Sequence, residues 1–301
     1  MNAVRHTTRV LGAAAAATIL VASWGPSRTD ADVSAAVPAS AAIASPALAS
    51  AAAVRVPISP PRFVATAGAD TPVLATPSNW RTPSSATTRV VLVGDSLALE
   101  SSQLVAFFTA PKVFVSKFWG GTAPCDWVDV DLEVDPTTVV VISFTGNSLT
   151  ACMSNGAGGF LEHEALAARY RADVETLVDR ARQAGARVVL VGQAQHAASY
   201  NDQYKVDAIN GMFQEFAASW AHVSFVDAGA AVETPNGEYA DRLPCTQFDD
   251  DCAADGTTMV RGDGLHFCPI AGVFPCPVHS SGALRFSLAI SNAANNPADF
   301  D

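Results

Sequence analysis

Every residue from Val90 to Val93 is apolar, and the same holds from Val139 to Ile142 and from Val188 to Val191. A strand with one face in water alternates apolar and polar residues, so an unbroken apolar run calls for cover on both faces. Segments of helical character lie between these runs. Glu162 to Ala184 is the clearest, with Leu166, Tyr170, Val174, Leu177, Val178 and Ala181 on one face and Gly185 as its stop. Leu99 to Phe108, Tyr204 to Trp220 and Ser280 to Ala293 read as further helices, and Lys112 to Ser116 and His222 to Val226 as further strands. This alternation predicts an α/β fold built on a central parallel sheet. In such sheets the loops after the strands' carboxyl ends form the binding site.

Three polar groups fall on those loops. Gly94-Asp95-Ser96 follows the first apolar run and precedes a helix, which leaves the Ser96 hydroxyl at the sheet edge beside helix amides. Asp263-Gly264-Leu265-His266 comes near the far end, with His266 170 residues after Ser96. An Asp three residues ahead of a His can bond one imidazole nitrogen and leave the other for a serine proton. Between them, Thr145-Gly146-Asn147 follows the run ending at Ile142, where the Asn amide could donate to a developing oxyanion. Asp95 reads as a brace for the turn.

These blocks, in this order, resemble the SGNH (GDSL-type) hydrolase superfamily from about Arg89 to Asn292. Leu97-Ala98-Leu99-Glu100, Cys125-Asp126-Trp127 and Cys152 after the Asn are closest to SGNH domains of actinobacterial cell-envelope proteins. The resemblance implies a three-layer α/β/α, flavodoxin-like fold with a central parallel sheet. It implies Ser96 as nucleophile, Asp263 and His266 as its partners, and an oxyanion hole from Ser96, Asn147 and either Gly120 or Gly121. Thr145 and Ser148 stand where the family usually has Gly and Asp.

All six cysteines lie beyond residue 124, an even number that points to disulfides in an exported protein. Six allow 15 pairings. The positions of Cys125 after the block II glycines and Cys152 after Asn147 suggest a bridge between two oxyanion loops. Cys245–Cys252 and Cys268–Cys276 are expected as local bridges. There is no Cys-x-x-Cys, and His266 and His279 complete no ligand spacing, so neither metal nor cofactor is expected. Asp249-Asp250-Asp251 lacks the alternating spacing of a calcium loop and reads as a solvated segment.

The amino-terminal part reads differently. Arg5, His6 and Arg9 precede an apolar run from Val10 to Ala22, which is short of the ~20 residues that span a bilayer. Residues 1–25 are therefore expected to be a signal peptide, with no transmembrane span in the mature chain. Residues 26–88, rich in Ala, Pro, Ser and Thr, are expected to be a flexible linker. Residues 89–301 form one domain, which carries 12 Lys/Arg against 26 Asp/Glu, a net charge of −14. That balance disfavours nucleic acid or an anionic membrane as partner.

The expected function is a secreted or cell-wall-associated serine esterase, a monomer, that hydrolyses or transfers a short acyl ester on a cell-envelope glycan. A lipid ester is the alternative substrate, and a catalytically silent glycan-binding module is the alternative class. Asp126, Trp127 and His196 are weaker candidates for substrate contact: Trp127 with Asp126 as a sugar-stacking wall, His196 as a polar group on a loop after a strand.

Overall fold

The computed structural model describes residues 87–200, 203–273, 275–278 and 280–296. The expected signal peptide 1–25 and nearly all of the expected linker lie outside the described residues. The linker's last two residues already belong to the fold. Thr87 is buried, and Thr88 donates its N–H to Thr137 O at 2.9 Å while its own carbonyl accepts from Val113.

Five parallel strands form the central sheet: β1 Arg89–Gly94, β2 Val113–Phe118, β3 Thr138–Ser143, β4 Arg187–Val191 and β5 Val223–Val226. Their order is β2-β1-β3-β4-β5. This is the flavodoxin-like order, in which the chain reverses its direction of travel across the sheet at β1 and opens a crevice between the carboxyl ends of β1 and β3.

Among the described residues, four helices cover the two faces: α1 Ser96–Thr109, α2 His163–Gln183, α3 Gln203–Ser219 and α4 Ser281–Asn295. Side-chain alternation along β1 sorts the layers. Val91 and Val93 pack with Tyr170 and Leu177 of α2 and Phe213 of α3. Val90 and Leu92 pack with Val105 of α1 and with Phe286 and Ile290 of α4. Burying both faces in this way explains why the strands are unbroken apolar runs. No described helix is long and apolar enough to cross a membrane.

Two local features depart from the sequence expectation. Helix α1 starts at Ser96 and not at Leu99, because the Asp95 carboxylate caps it by accepting from Leu97 N at 3.2 Å. A short antiparallel pair, β6 Arg242–Pro244 and β7 Thr257–Met259, carries the acidic segment between its strands. There Asp249 is not simply solvated: it pairs with Arg285 of α4 at 2.8 Å and accepts from Thr246 N and Ser281 Oγ. The bridge Cys245–Cys252 closes that segment.

Gly94 ends β1 at the closest approach in the crevice. A Cβ there would lie 2.2 Å from Ser143 O on β3 and 2.5 Å from the Ala98 Cβ on α1. Neither backbone can retreat without moving a strand or a helix. Gly94→Ala should therefore lose about 3 kcal/mol of stability, read as a lower urea midpoint at unchanged slope, and an unaltered midpoint would refute this packing.

Candidate active site

Ser96 is the first residue of α1, directly beyond β1, so its side chain stands at the positive end of the helix. His266 Nε2 lies 3.0 Å from Ser96 Oγ, and His266 Nδ1 lies 2.8 Å from Asp263 Oδ2. The other oxygen of Asp263 accepts the backbone N–H groups of Leu265 at 3.0 Å and His266 at 2.8 Å. Burial pushes the Asp263 carboxyl up, but the hydrogen bonds from His266 and Leu265 outweigh it and hold the group below its ordinary value. An ionised Asp263 only accepts, so the imidazole carries its proton on Nδ1 and presents the Nε2 lone pair to the serine hydroxyl.

The loop that carries this pair is fixed from several sides. Gly264 has φ +90°, and a Cβ there would meet the Ala197 Cβ at 2.7 Å, which leaves room only for glycine. Ala197 N donates to Gly264 O at 2.9 Å, and the Tyr200 hydroxyl donates to Asp263 O at 3.2 Å. The Arg261 guanidinium is buried, lies over the Phe267 ring at 4.6 Å and donates to Leu265 O at 2.6 Å. Burial pulls Arg261 down to about 10, against the attraction of Tyr239, Glu233, Glu100 and Asp263.

Glu100 was not singled out for a role by sequence reasoning. It stands one helical turn beyond Ser96 on α1, hence on the same face, and its carboxylate accepts from Phe267 N at 2.6 Å. The helix of the serine is thereby tied to the residue beside the histidine. The four-residue spacing from Ser96 was the available signal. Burial, more than any neighbour, raises the Glu100 carboxyl above its ordinary value.

The oxyanion candidates divide. Gly120 borders the same cavity as Ser96, and a Cβ on it would lie 3.9 Å from the Ser96 Cβ. A Cβ on Gly121, at φ +80°, would have open space around it. The loop is held at Gly94, whose carbonyl accepts from Trp119 N at 3.4 Å and Thr122 Oγ1 at 3.1 Å. Asn147 Nδ2 donates to Asp95 Oδ2 at 3.0 Å and lies 3.3 Å from Thr145 Oγ1. Thr145, in place of the usual glycine, donates to the same Asp95 oxygen through its N–H at 2.6 Å and its hydroxyl at 2.8 Å. Burial pushes the Asp95 carboxyl up to about 6, while the bonds from Thr145, Leu97 and Asn147 pull it down.

Three weaker candidates sit elsewhere. Trp127 is only 7% exposed, packs in the core beneath α2 and donates its indole N–H to Thr122 Oγ1, so it forms no wall for a sugar. Asp126 accepts from Ala123 N and Thr150 Oγ1 beside the Cys125–Cys152 bridge. These three residues, Cys125, Asp126 and Cys152, are close enough to share an ion, but their sulfurs are bonded to each other and offer no thiolate. His196 is buried, with its ring 6.1 Å from that of Tyr200, and does not border the cavity at Ser96. The indole that does border it is Trp119. Cys268–Cys276 closes a loop two residues after His266.

Residues 128–272 match a protein family described as "Protein of unknown function (DUF459)". No curated protein matches the chain. Among solved structures, the chain is similar to the carboxyl-terminal catalytic domain of Streptococcus pneumoniae peptidoglycan O-acetyltransferase A, at 15% identity and a TM-score of 0.43, covering 71% of this chain and 97% of that one. It is also similar to a catalytic mutant of an acetylxylan esterase from Geobacillus stearothermophilus, at 14% identity and a TM-score of 0.41, over 70% and 94% of the two chains. The acetyl xylan esterase AlAXEase gives 12% identity and a TM-score of 0.44, over 68% and 98%. Ser96 at the start of α1 and the loop residues Gly120, Asn147, Asp263 and His266 lie together beyond the carboxyl ends of the parallel strands.

The Asp95 titration has a measurable sign. Its folded value lies above the ordinary 3.8, so its contribution to stability is fully present below about pH 4 and is lost as pH rises through about 6. Asp95→Asn removes that titration. The stability of the native protein relative to Asp95→Asn should fall by about 2–3 kcal/mol between pH 4 and pH 7. Urea unfolding of both proteins at the two pH values measures it, and a constant difference would refute it.

Proposed function

We propose that this protein is a serine ester hydrolase or acyltransferase with Ser96 as nucleophile. The observation that carries the reading is the continuous hydrogen-bonded chain from Asp263 through His266 to Ser96, with spacings of 2.8 and 3.0 Å. A hydroxyl at that distance from an imidazole oriented by a carboxylate is the arrangement that activates a serine.

In the proposed reaction Ser96 Oγ attacks the ester carbonyl carbon as its proton passes to His266 Nε2. The carbonyl oxygen takes up the electron pair, stabilised by the amides of Ser96 and Gly120 and by the Asn147 side chain that Asp95 orients. Collapse of this intermediate breaks the bond to the alcohol oxygen, which leaves with the proton from His266. Water then attacks the acyl-serine with the same imidazole as base and frees the acid. If a sugar hydroxyl takes the place of water, the acyl group is transferred instead.

Resemblance to cell-envelope SGNH domains supports a short acyl ester on a glycan as substrate, while the apolar surroundings of Ser96 favour a longer acyl group. Export is part of the reading: residues 1–25 would be removed as a signal peptide and most of 26–88 would serve as a linker. Three disulfides support an oxidising location.

Ser96→Ala and His266→Ala should each lower the rate of aryl-ester turnover by about 10⁴-fold or more, and Asp263→Asn should retain more activity than either. Turnover by Ser96→Ala equal to that of the native protein would end the proposal. Amino-terminal sequencing of the protein recovered from culture medium should find a start beyond Ala22. Recovery of all the protein with cells, starting at Met1, would overturn the export reading.

A further inference from the structure

The cavity at Ser96 has a volume of about 320 Å³. Besides the indole N–H of Trp119, four residues bring polar side chains to it, Ser96, Glu100, Asp263 and His266: the first, third and fourth bond one another, and Glu100 accepts from Phe267 N. The rest of the wall is Leu99, Trp119, Ile270, Ala271 and Val273, completed by Gly120, Gly272 and the half-cystine Cys268. These polar groups cluster at the serine end of the cavity, and away from it the side chains are mostly hydrocarbon.

The apolar residues are also exposed. Trp119 is 68% exposed, Ile270 42% and Val273 41%, and all three border this one opening. Large apolar side chains held in water around a concave site gain free energy when a ligand covers them. The Cys268–Cys276 bridge closes the loop that presents Ile270 and Val273. An acetyl methyl, about as large as the ~30 Å³ share of one water molecule, would leave most of this space wet.

We infer that the crevice between Trp119 and the disulfide-closed loop is an acyl-chain subsite, so that the preferred substrate carries a straight apolar acyl group of medium length on the ester that Ser96 attacks. The inference rests on the reading of Ser96 as nucleophile and replaces an acetyl-sized acyl group by a longer one.

The test is a series of 4-nitrophenyl esters from acetate to decanoate, each kept below its micelle-forming concentration, assayed with the native protein, Ser96→Ala, Trp119→Ala and Ile270→Ser. Expected is a kcat/KM that rises about twofold to fourfold per added methylene up to about eight carbons. Trp119→Ala and Ile270→Ser should flatten that slope. Both side chains are exposed, and thermal unfolding of each variant reports whether the fold is retained. A second readout needs no turnover: n-alkylboronic acids from ethyl to octyl should inhibit with affinity that climbs with chain length in the native protein. Acetate as the best ester, with a flat boronate series, would overturn the subsite and leave the Ser96 reading standing. Ester turnover that Ser96→Ala shares in full would overturn both.

Discussion

The buried carboxylate of Asp95 accepts four hydrogen bonds from two separate parts of the chain: Leu97 N from the first turn of α1, and Thr145 N, Thr145 Oγ1 and Asn147 Nδ2 from the loop after β3. Its own N–H donates to Ser143 O at the end of β3. A carboxylate excluded from water is stabilised only by donors aimed at it, so each donor's position is fixed by the same charge. This one group sets where the helix of Ser96 begins, how near β1 and β3 come, and which way the Asn147 amide points. Gly94 makes that approach possible, since any larger residue would separate the two strands.

The histidine reaches this frame through a second set of ties. Its loop lies far along the chain, and nothing local holds it beside α1. Glu100 supplies a bond from α1 to Phe267, Arg261 holds Leu265 from beneath, and Ala197 and Tyr200 hold Gly264 and Asp263 from the loop after β4. The result is a base fixed by contacts from three directions, which is what a hydrogen bond to a serine requires if it is to persist without substrate. The same loop then runs into the Cys268–Cys276 bridge, which also closes the segment that carries Ile270 and Val273 of the apolar wall.

Much of the layer structure was legible because it depends on period. The apolar runs at β1, β3 and β4 and the helical stripe of α2 each report burial that their own side chains enforce. Ser96, Asp263 and His266 were legible because a strand-to-helix turn and an i to i+3 pair are local patterns. Trp127 misled for a related reason. An indole beside a carboxylate reads alike in sequence whether it faces a cleft or a core, and α2 packs over it. Trp119 drew no attention as a contact residue, since exposure at a cavity depends on a loop about 150 residues away.

By itself the sequence determined the alternation of strands and helices, the parallel sense of the sheet, and the serine and aspartate–histidine pair as separate local motifs. Period and turn chemistry act over a few residues and need no knowledge of what lies opposite. Only the tertiary structure decided that Gly120 and not Gly121 adjoins Ser96, that Thr145 completes the shell of Asp95, that Glu100 ties helix to loop, and that the surroundings of Ser96 are apolar. Each of these is a contact between segments distant in sequence, and its energy exists only once the sheet has brought their loops to one edge.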